Sequence, residues 1–301
     1  MKHLLVLGCH GLLGQNLVKL ATPHYRVTGI GRKEATFLDY SRFNYLSGDL
    51  TDSSLVDLIR EQQPDLIVNC AGWTAVDLAE TQREQCWQVN QDGVRNLITA
   101  ARLTKAHLIQ ISTDYVFDGK TGPYHERSEP NPQSVYASSK LAAENLLRGS
   151  GADYCIMRTI VLFGKGVDLA PDFVAWLLEE LLAGREVNIV DDQIGNVTYA
   201  PMLSRAILQT LKLRLNGVLH VGSSDIMSRL EFARLVAHQY NLDEKLIHPI
   251  STEALRQPAA RPLKGGLLTE ESQQRLKMKF DSCAGMMQAY AEEEPHTHRL
   301  N

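Results

Sequence analysis

Short apolar runs alternate with amphipathic stretches along the first half of the chain. Each run is long enough for a buried strand, and the stretches between runs repeat their apolar residues at the spacing of a helix. Strands and helices that alternate in this way predict an α/β protein with a doubly wound parallel sheet. The predicted strands cover residues 4–7, 26–30, a run that ends before Gly48, 65–72, 108–111 and 154–158.

The pattern changes after the last of these strands. Further short apolar runs and helical stretches follow, but strands and helices no longer alternate regularly. We therefore expect two units. Residues 1–163, joined by part of 187–221, are predicted to form the nucleotide-binding domain, and residues 164–186 with 222–301 a smaller carboxy-terminal lobe that binds substrate. In that lobe, Ser228 to Glu231 has the pattern of a capping box at a helix start.

The composition is that of an ordinary globular protein. Of the 301 residues, 44% are hydrophobic and 22% are charged, and the net charge of −4 gives no reason to expect nucleic acid or a membrane surface as partner. No apolar run approaches the roughly 20 residues that span a bilayer. The apolar core of residues 4–7 is shorter than the roughly 7–15 residues of a secretory signal, so a cytoplasmic protein is expected.

No pattern of metal ligands is visible. The 5 cysteines are odd in number and scattered, which predicts neither a disulfide framework nor a metal site. The acidic and histidine-containing segment 292–298 has a terminal, polar setting, which favours a frayed end over a metal site. We therefore predict no bound metal.

A glycine-rich turn follows the first predicted strand. Gly8, Gly11 and Gly14 have GxxGxxG spacing, and a helical pattern begins at Leu12 and Leu13. The glycines permit a tight turn and a close approach of the backbone to a pyrophosphate, while the following helix supplies N–H donors. Because a strand precedes the motif and a helix follows it, we predict a Rossmann-type domain that binds NAD(P) through these five residues.

The ends of the second and third strands bear on cofactor choice. Arg32 and Lys33 follow the second strand, where an NAD-specific site carries an acid for the ribose 2′-hydroxyl. The missing acid favours NADPH, whose 2′-phosphate these cations would meet, with NADH left open. Two solvated loop charges are the alternative. Asp49 and Leu50 follow the third strand, and Asp49 is expected to face the adenine.

The tip of the fourth strand consists of small residues. Small side chains at a strand end let a flat cofactor lie against the backbone. We therefore assign Cys70, Ala71 and Gly72 to the cofactor site.

The catalytic candidates come from the segment 112–140. The strand 108–111 delivers Thr113 to a strand end, where α/β sheets hold their ligands. Tyr136 and Lys140 follow on a predicted helix, and their four-residue spacing puts both side chains on one face. A nearby ammonium is expected to lower the phenol's pKa from about 10. Tyr136 is then a proton donor for a carbonyl, with the Thr113 hydroxyl as a second hydrogen bond. A surface Tyr and Lys on an amphipathic helix are the alternative.

These motifs together resemble the extended short-chain dehydrogenase/reductase superfamily and, within it, the dTDP-4-dehydrorhamnose reductase family. The likeness spans nearly the whole chain, and its most specific part is STDYVFDG at 112–119. It implies that a hydride passes from a reduced nicotinamide to C4 of a 4-keto-6-deoxy sugar nucleotide. The other matching segments are residues 8–14, 69–77 with Glu80, 89–90, 123–126, 135–140, 158–159, 192–195 and 261–262.

The resemblance also implies roles for individual residues. Tyr136 would protonate the new alkoxide, Lys140 would hold the nicotinamide ribose and lower the tyrosine's pKa, and Thr113 would polarise the ketone. Asn90 is assigned to the cofactor. The residues assigned to the substrate are Thr113, Asp114, Tyr115, Val161, Gln193 and Arg261.

Four positions depart from the family pattern, and one of them is Val197, which stands where the family has a proline. The family usually carries a tryptophan and then a tyrosine that line the sugar site, and Val161 and Phe163 stand there. A wider sugar pocket is therefore expected. Gln15 stands where some members place an acid for a magnesium-linked dimer, so a homodimer remains an open alternative.

Two other functions are compatible with the same motifs. The regulatory β subunit of methionine adenosyltransferase has a similar fold, strand end and carboxy-terminal Arg-Pro; it binds NADP and acts mainly through a partner. The resemblance thus leaves open a nucleotide-binding subunit with little turnover. A sugar-nucleotide 4-epimerase uses the same catalytic trio and keeps NAD bound, and the absence of an acid at Arg32 argues against it.

Overall fold

The structure, a computed structural model, describes residues 1–293. Most of the segment 292–298, predicted above as a polar end without a metal, lies outside the described residues. Within them, seven strands form one sheet and six short strands form three pairs. In chain order the strands are β1 (His3–Leu7), β2 (Arg26–Gly31), β3 (Phe43–Ser47), β4 (Leu66–Asn69), β5 (His107–Thr113), β6 (Tyr154–Thr159), β7 (Leu162–Phe163), β8 (Val187–Val190), β9 (Ile194–Gly195), β10 (Thr198–Tyr199), β11 (Gly217–Val221), β12 (Met227–Ser228) and β13 (Ile247–Ile250).

The central sheet is parallel throughout, in the order β11-β6-β5-β4-β1-β2-β3. The chain starts near the middle at β1, runs outward to β3, and then returns to β4 on the other side of β1. The strand order therefore reverses between β1 and β4. A reversal of this kind opens a ligand crevice at the carboxyl ends of the strands. The predicted doubly wound parallel sheet is confirmed.

Helices cover both faces of this sheet. A π-helical turn, Gln88–Asp92, joins the fourth and fifth of them. The helices are α1 (Leu12–Ala21), α2 (Ser54–Gln62), α3 (Val76–Ala79), α4 (Arg83–Trp87), α5 (Gly93–Thr104), α6 (Val135–Arg148), α7 (Phe173–Leu182), α8 (Ala200–Leu213), α9 (Arg229–Gln239), α10 (Thr252–Leu255), α11 (Glu270–Leu276) and α12 (Cys283–Glu292).

The alternation of side chains along β1 divides the core into two layers. Leu4 and Val6 pack with residues of α1, α7, α8, α9 and α12. Leu5 and Leu7 point the other way and pack with residues of α2, α5 and α6. Because β1 is buried on both faces, its sequence is an uninterrupted apolar run rather than an alternating one.

The elements after β6 are shared between the central sheet and smaller pairs. β11 joins the edge of the central sheet beside β6, whereas β8 pairs with β13 in parallel and β9 with β12 in antiparallel orientation. The helix α9 begins with the predicted capping box. Ser228 Oγ accepts a hydrogen bond from Glu231 N at 3.1 Å, and Glu231 Oε2 accepts one from Ser228 N at 2.7 Å.

None of the described helices is long and apolar enough to cross a membrane. The described residues also contain no group of three or more side chains arranged to hold a metal ion.

Candidate active site

Contacts within the protein require two of the three glycines in the turn between β1 and α1, but not the third. Gly8 has φ +71, and a Cβ there would lie 2.8 Å from Ala71 N. A Cβ at Gly14 would overlap the Gly8 carbonyl oxygen. Gly11 is different, because it is exposed and its Cβ would make only an ordinary contact of 3.4 Å. Nothing in the chain therefore requires a glycine at position 11, which suits the close approach of an external group.

The N-terminus of α1 has donors for such a group. The first-turn N–H groups, which include those of Leu12 and Leu13, have no acceptor within the helix. Gly11 is the N-cap residue and supplies no side-chain cap. The turn therefore fits a cofactor pyrophosphate, which would accept hydrogen bonds from this helix end.

The tip of β4 approaches the catalytic candidates. A Cβ on Gly72 would lie 3.2 Å from Asn90 Oδ1 and 3.7 Å from Lys140 Nζ. The Asn90 amide is engaged within the protein. Its Oδ1 accepts a hydrogen bond from Trp73 N at 2.9 Å, and its Nδ2 donates to Ser139 Oγ at 2.9 Å. Asn90 thus ties the loop after β4 to α6 beside Gly72.

Thr113, Tyr136 and Lys140 converge at the carboxyl end of β5. Thr113 is the last residue of this strand, and the helix α6 begins at Val135 after a cap in which Ser134 Oγ accepts a hydrogen bond from Ala137 N at 3.2 Å. The side chains of the three are 7–8% exposed. All three are therefore largely buried at the edge of the sheet where parallel strands bind their ligands.

The pKa of Tyr136 is raised, although the sequence predicts that the nearby Lys140 lowers it. Burial raises the pKa of Tyr136, and a hydrogen bond from Thr113 opposes this only in part. Lys140 does not lower it, because its Nζ donates a hydrogen bond to the Ile111 carbonyl oxygen at 2.6 Å. Burial lowers the pKa of Lys140 to about 8. The prediction of a lowered tyrosine pKa was therefore wrong for this arrangement, and the phenol holds its proton at neutral pH.

Asp114 and Tyr115 extend the site beyond the strand end. Asp114 Oδ1 accepts a hydrogen bond from Thr113 Oγ1 at 3.2 Å, and burial raises the Asp114 pKa to about 7. The Tyr115 ring meets the Tyr136 ring edge to face, with centroids 5.9 Å apart. Both residues therefore lie where a molecule that reaches Tyr136 would pass.

A pocket opens from this point toward the carboxy-terminal elements. We call it the Asp114 pocket, and Asp114, Tyr115, Val161, Gln193, Arg229 and Phe232 are among its lining residues. Val161 has φ +41, a strained conformation for a β-branched residue. Phe163 does not line the pocket as expected: it is fully buried and stacks on Tyr199 at 5.4 Å. Val161 precedes β7 and its positive φ lies outside the strand region, so strand alternation does not relate its side chain to that of Phe163.

Arg261 is already paired within the protein. Its Nη2 lies 2.8 Å from Asp77 Oδ2, and its Nη1 donates to the Ala259 carbonyl oxygen at 2.9 Å. The guanidinium therefore joins α3 to the loop after α10. Arg261 is predicted to contact substrate, and within the chain its guanidinium holds these two segments together beside the pocket. Gln193 lines the pocket and donates a hydrogen bond to Thr252 Oγ1 at 2.9 Å.

The carboxyl ends of β2 and β3 are more exposed. Arg32 is exposed just beyond β2, and Lys33 Nζ lies 2.5 Å from Asp168 Oδ2. Asp49 Oδ1 accepts hydrogen bonds from the N–H and hydroxyl of Thr51, both at 2.8 Å.

Leu50 lies apart from these polar groups. It is 8% exposed and packs against Gly93 at the start of α5. Leu50 thus belongs to the core beneath the crevice, whereas Arg32 faces solvent at its rim.

Sequence reasoning missed Arg229. Its segment was interpreted only as a helix start, which it is, but Arg229 also lines the Asp114 pocket. The signal was available: a cation in the first turn of a helix is unfavourable, since that end already carries partial positive charge.

Comparisons with known proteins place the chain in a family. The model described as the RmlD substrate binding domain matches residues 1–294. The chain belongs to this family. A relative from Mycobacterium tuberculosis, a dTDP-4-dehydrorhamnose reductase, is 33% identical over 267 residues, with 86% of this chain and 83% of the relative covered. The spore coat polysaccharide biosynthesis protein SpsK of Bacillus subtilis is 31% identical, with 87% of each chain covered.

Solved structures give the same result. The crystal structure of dTDP-4-dehydrorhamnose reductase from Bacillus anthracis in complex with NADP superimposes with a TM-score of 0.84 at 28% identity, covering 97% of this chain and 99% of that one. The likeness to the RmlD family therefore extends over both the sheet and the carboxy-terminal elements.

Proposed function

We propose that this protein reduces the 4-keto group of a 4-keto-6-deoxy sugar nucleotide with NADPH, and that its main reaction converts dTDP-4-dehydrorhamnose to dTDP-L-rhamnose. The observation that carries the proposal is the convergence of Thr113, Tyr136 and Lys140 between the glycine turn and the Asp114 pocket. The names of its relatives support the same reaction.

The cofactor would bind along the carboxyl ends of β1, β2 and β4. Its pyrophosphate would lie at Gly11 and the first turn of α1, and its nicotinamide near Gly72 and Lys140. NADPH is the proposed cofactor because Arg32 is available to a 2′-phosphate and because the Bacillus anthracis relative is a complex with NADP. NADH is a second candidate, since Asp168 partly neutralises Lys33.

Thr113, Tyr136 and Lys140 would have separate roles in the reduction of the ketone. The reduced nicotinamide supplies the hydride that adds to C4 of the sugar. Thr113 donates a hydrogen bond to the ketone oxygen and polarises it. Tyr136 then transfers its phenolic proton to the oxygen as negative charge develops there, and the raised pKa keeps that proton available. The Lys140 ammonium, beside Gly72, would hold the nicotinamide ribose.

The substrate would reach across both parts of the chain. We propose that the central sheet binds the cofactor and that the lobe of residues 164–186 with 222–293 completes the sugar-nucleotide site. Asp114, Val161 and Gln193, from outside that lobe, would contact the sugar. A cytoplasmic location follows from the supply of dTDP-sugars and NADPH in biosynthesis. A homodimer is a further proposal, and size-exclusion chromatography with light scattering would test it.

The experiment that tests the function follows the absorbance of NADPH in the presence of a panel of 4-keto-6-deoxy sugar nucleotides. Stoichiometric loss of NADPH with dTDP-4-dehydrorhamnose supports the proposal. NADPH binding without consumption of any member of the panel would favour a regulatory subunit. Interconversion of 4-epimers without net cofactor consumption would favour an epimerase.

The choice of cofactor gives a first prediction. Arg32→Ala is expected to raise the Kd of NADPH roughly tenfold, because a charge-assisted hydrogen bond to the 2′-phosphate is lost. The Kd of NADH should stay within about twofold, since NADH has no such phosphate. Fluorescence titration of both cofactors measures the effect.

Arg42→Ala is the matched control. Arg42 precedes the amino end of β3, where it contacts the Pro23 carbonyl oxygen, so it lies at the opposite edge of the sheet. Its removal should change neither Kd. Equal losses for NADPH and NADH in Arg32→Ala would exclude a contact between Arg32 and the 2′-phosphate.

A further inference from the structure

Arg229 lies at a position where a positive charge is unfavourable. It is the first residue of α9 and is half-buried in the wall of the Asp114 pocket. Burial lowers the pKa of its guanidinium, and the positive end of the helix dipole opposes the charge as well. A side chain that is disfavoured by both effects is expected to have a partner.

The described residues do not supply that partner. No carboxylate among them lies within ion-pair distance of the Arg229 guanidinium, and no acceptor receives a hydrogen bond from it. The guanidinium lies over the Phe173 ring, whose centroid is 5.2 Å from Cζ. The backbone is held, since Arg229 N donates to the Gln193 carbonyl oxygen at 2.9 Å. The donors of the guanidinium therefore remain available to a molecule in the pocket.

Asp114, the other charged group that lines the pocket, limits the chemical class of molecule that can bind there. Asp114 attracts Arg229 electrostatically but does not reach it, and its carboxyl accepts from the Thr113 hydroxyl and interacts with nearby backbone N–H groups. The pocket thus presents unused donors on one wall and unused acceptor sites on the other. A hydroxyl group serves both, because it accepts from the guanidinium and donates to the carboxylate. An acidic sugar would satisfy Arg229 but would meet the Asp114 carboxylate.

We propose that Arg229 is a specificity-determining residue that donates hydrogen bonds to ring hydroxyls of the sugar, while Asp114 accepts from them. This inference rests on the proposed function, since it takes the hexose of a sugar nucleotide as the occupant. It identifies the substrate class more closely: a neutral 4-keto sugar that retains its ring hydroxyls is favoured over deoxygenated or acidic ones.

Arg229→Met tests this inference, because methionine keeps an unbranched stem that packs against Phe173 but has no donor. The Kd of dTDP-L-rhamnose, measured by calorimetry with NADP⁺ present, is expected to rise about tenfold or more. Thermal stability should be unchanged or higher, since a half-buried charge without a partner is removed. A residue that mattered only for holding α9 would instead lower stability.

Two further variants and two deoxy analogues of the sugar test whether the Arg229 donors bind the sugar hydroxyls. Arg234→Met changes an exposed arginine of the same helix and should leave the Kd unchanged. Arg229→Lys keeps a charge and should bind with intermediate affinity. For the wild type, removing the 2-hydroxyl or the 3-hydroxyl of the sugar should weaken binding about tenfold for at least one of the two analogues. Arg229→Met should discriminate less than the wild type between that analogue and the parent, because only the Asp114 contact with the hydroxyl is left to lose.

The outcomes separate this inference from the proposed function. Unchanged affinity in Arg229→Met, or a loss that only follows a loss of thermal stability in both Arg229 variants, overturns the role of Arg229. A wild type that does not bind the sugar nucleotide also overturns it. Weakened binding without any NADPH oxidation by the wild type would support Arg229 as a sugar ligand and refute the reductase activity.

Discussion

Replacing Tyr136 by phenylalanine is expected to lower kcat by about 10²–10⁴-fold, the usual worth of a general acid, while the Kd of NADPH changes by no more than a few-fold. The substitution removes a hydroxyl from a ring that is 8% exposed and packed edge to face on Tyr115, so the ring itself should stay in position. Burial raises the pKa of this phenol, so at neutral pH the group is the protonated donor that reduction requires.

Steady-state kinetics with dTDP-4-dehydrorhamnose, together with fluorescence titration of NADPH, measures the two effects separately. Tyr154→Phe is the matched control, because Tyr154 begins β6 at the amino end of the sheet and pairs in register with Leu108, far from the crevice. Its kcat should equal that of the wild type. If Tyr136→Phe kept a kcat within a few-fold of wild type, another group would have to supply the proton.

The elements that bring the candidate site together could be predicted from local patterns. β1 is an apolar run because it is buried on both faces, and the glycine turn follows it directly. A parallel sheet gathers the carboxyl ends of its strands at one edge, so the turn after β1, the tip of β4 and Thr113 must lie near one another once the strand order is known. The four-residue spacing of Tyr136 and Lys140 then fixes their common face on α6.

The parts that could not be predicted depend on contacts between distant segments. The pairing of Arg261 with Asp77 joins residues 184 positions apart, and no local pattern distinguishes a paired arginine from one that awaits a ligand. The pKa of Tyr136 depends on burial and on the direction of Lys140 Nζ. The Ile111 carbonyl oxygen sets that direction by accepting a hydrogen bond from Nζ. The role of Arg229 could not be predicted for another reason. The capping box at the start of a helix already explained the whole of its segment.

The helix that carries Tyr136 and Lys140 is held by a buried ion pair. Glu144 lies one turn beyond Lys140 on α6, and its carboxylate is bidentate to Arg158 of β6, with distances of 2.9 Å to Nε and 2.7 Å to Nη2. Ser112 Oγ donates to the same carboxylate at 2.6 Å, directly before Thr113. Burial alone would raise the pKa of Glu144, but the hydrogen bonds from Arg158 and Ser112 outweigh it and lower the pKa.

Glu144→Gln is expected to lower the free energy of unfolding by about 3–5 kcal/mol, because it leaves the charge of Arg158 buried without a counterion. Arg158 is 1% exposed, and its other polar contacts, with the Glu126 carbonyl oxygen and His220 Nε2, are both long at 3.4 Å. Urea unfolding followed by circular dichroism and tryptophan fluorescence measures the loss, and coincident transitions would justify a two-state value.

Two further variants separate charge burial from loss of contacts. Glu180→Gln makes the same chemical change in an ion pair with Arg185 on the surface and should have far less effect, because water solvates the arginine that remains. Adding Arg158→Met to Glu144→Gln removes the stranded charge and should restore part of the lost stability, even though one more native side chain is gone. A double variant less stable than Glu144→Gln would mean that Arg158 stabilises the fold mainly through its packing on the Phe117 ring, which lies 4.9 Å from its guanidinium carbon, rather than through Glu144.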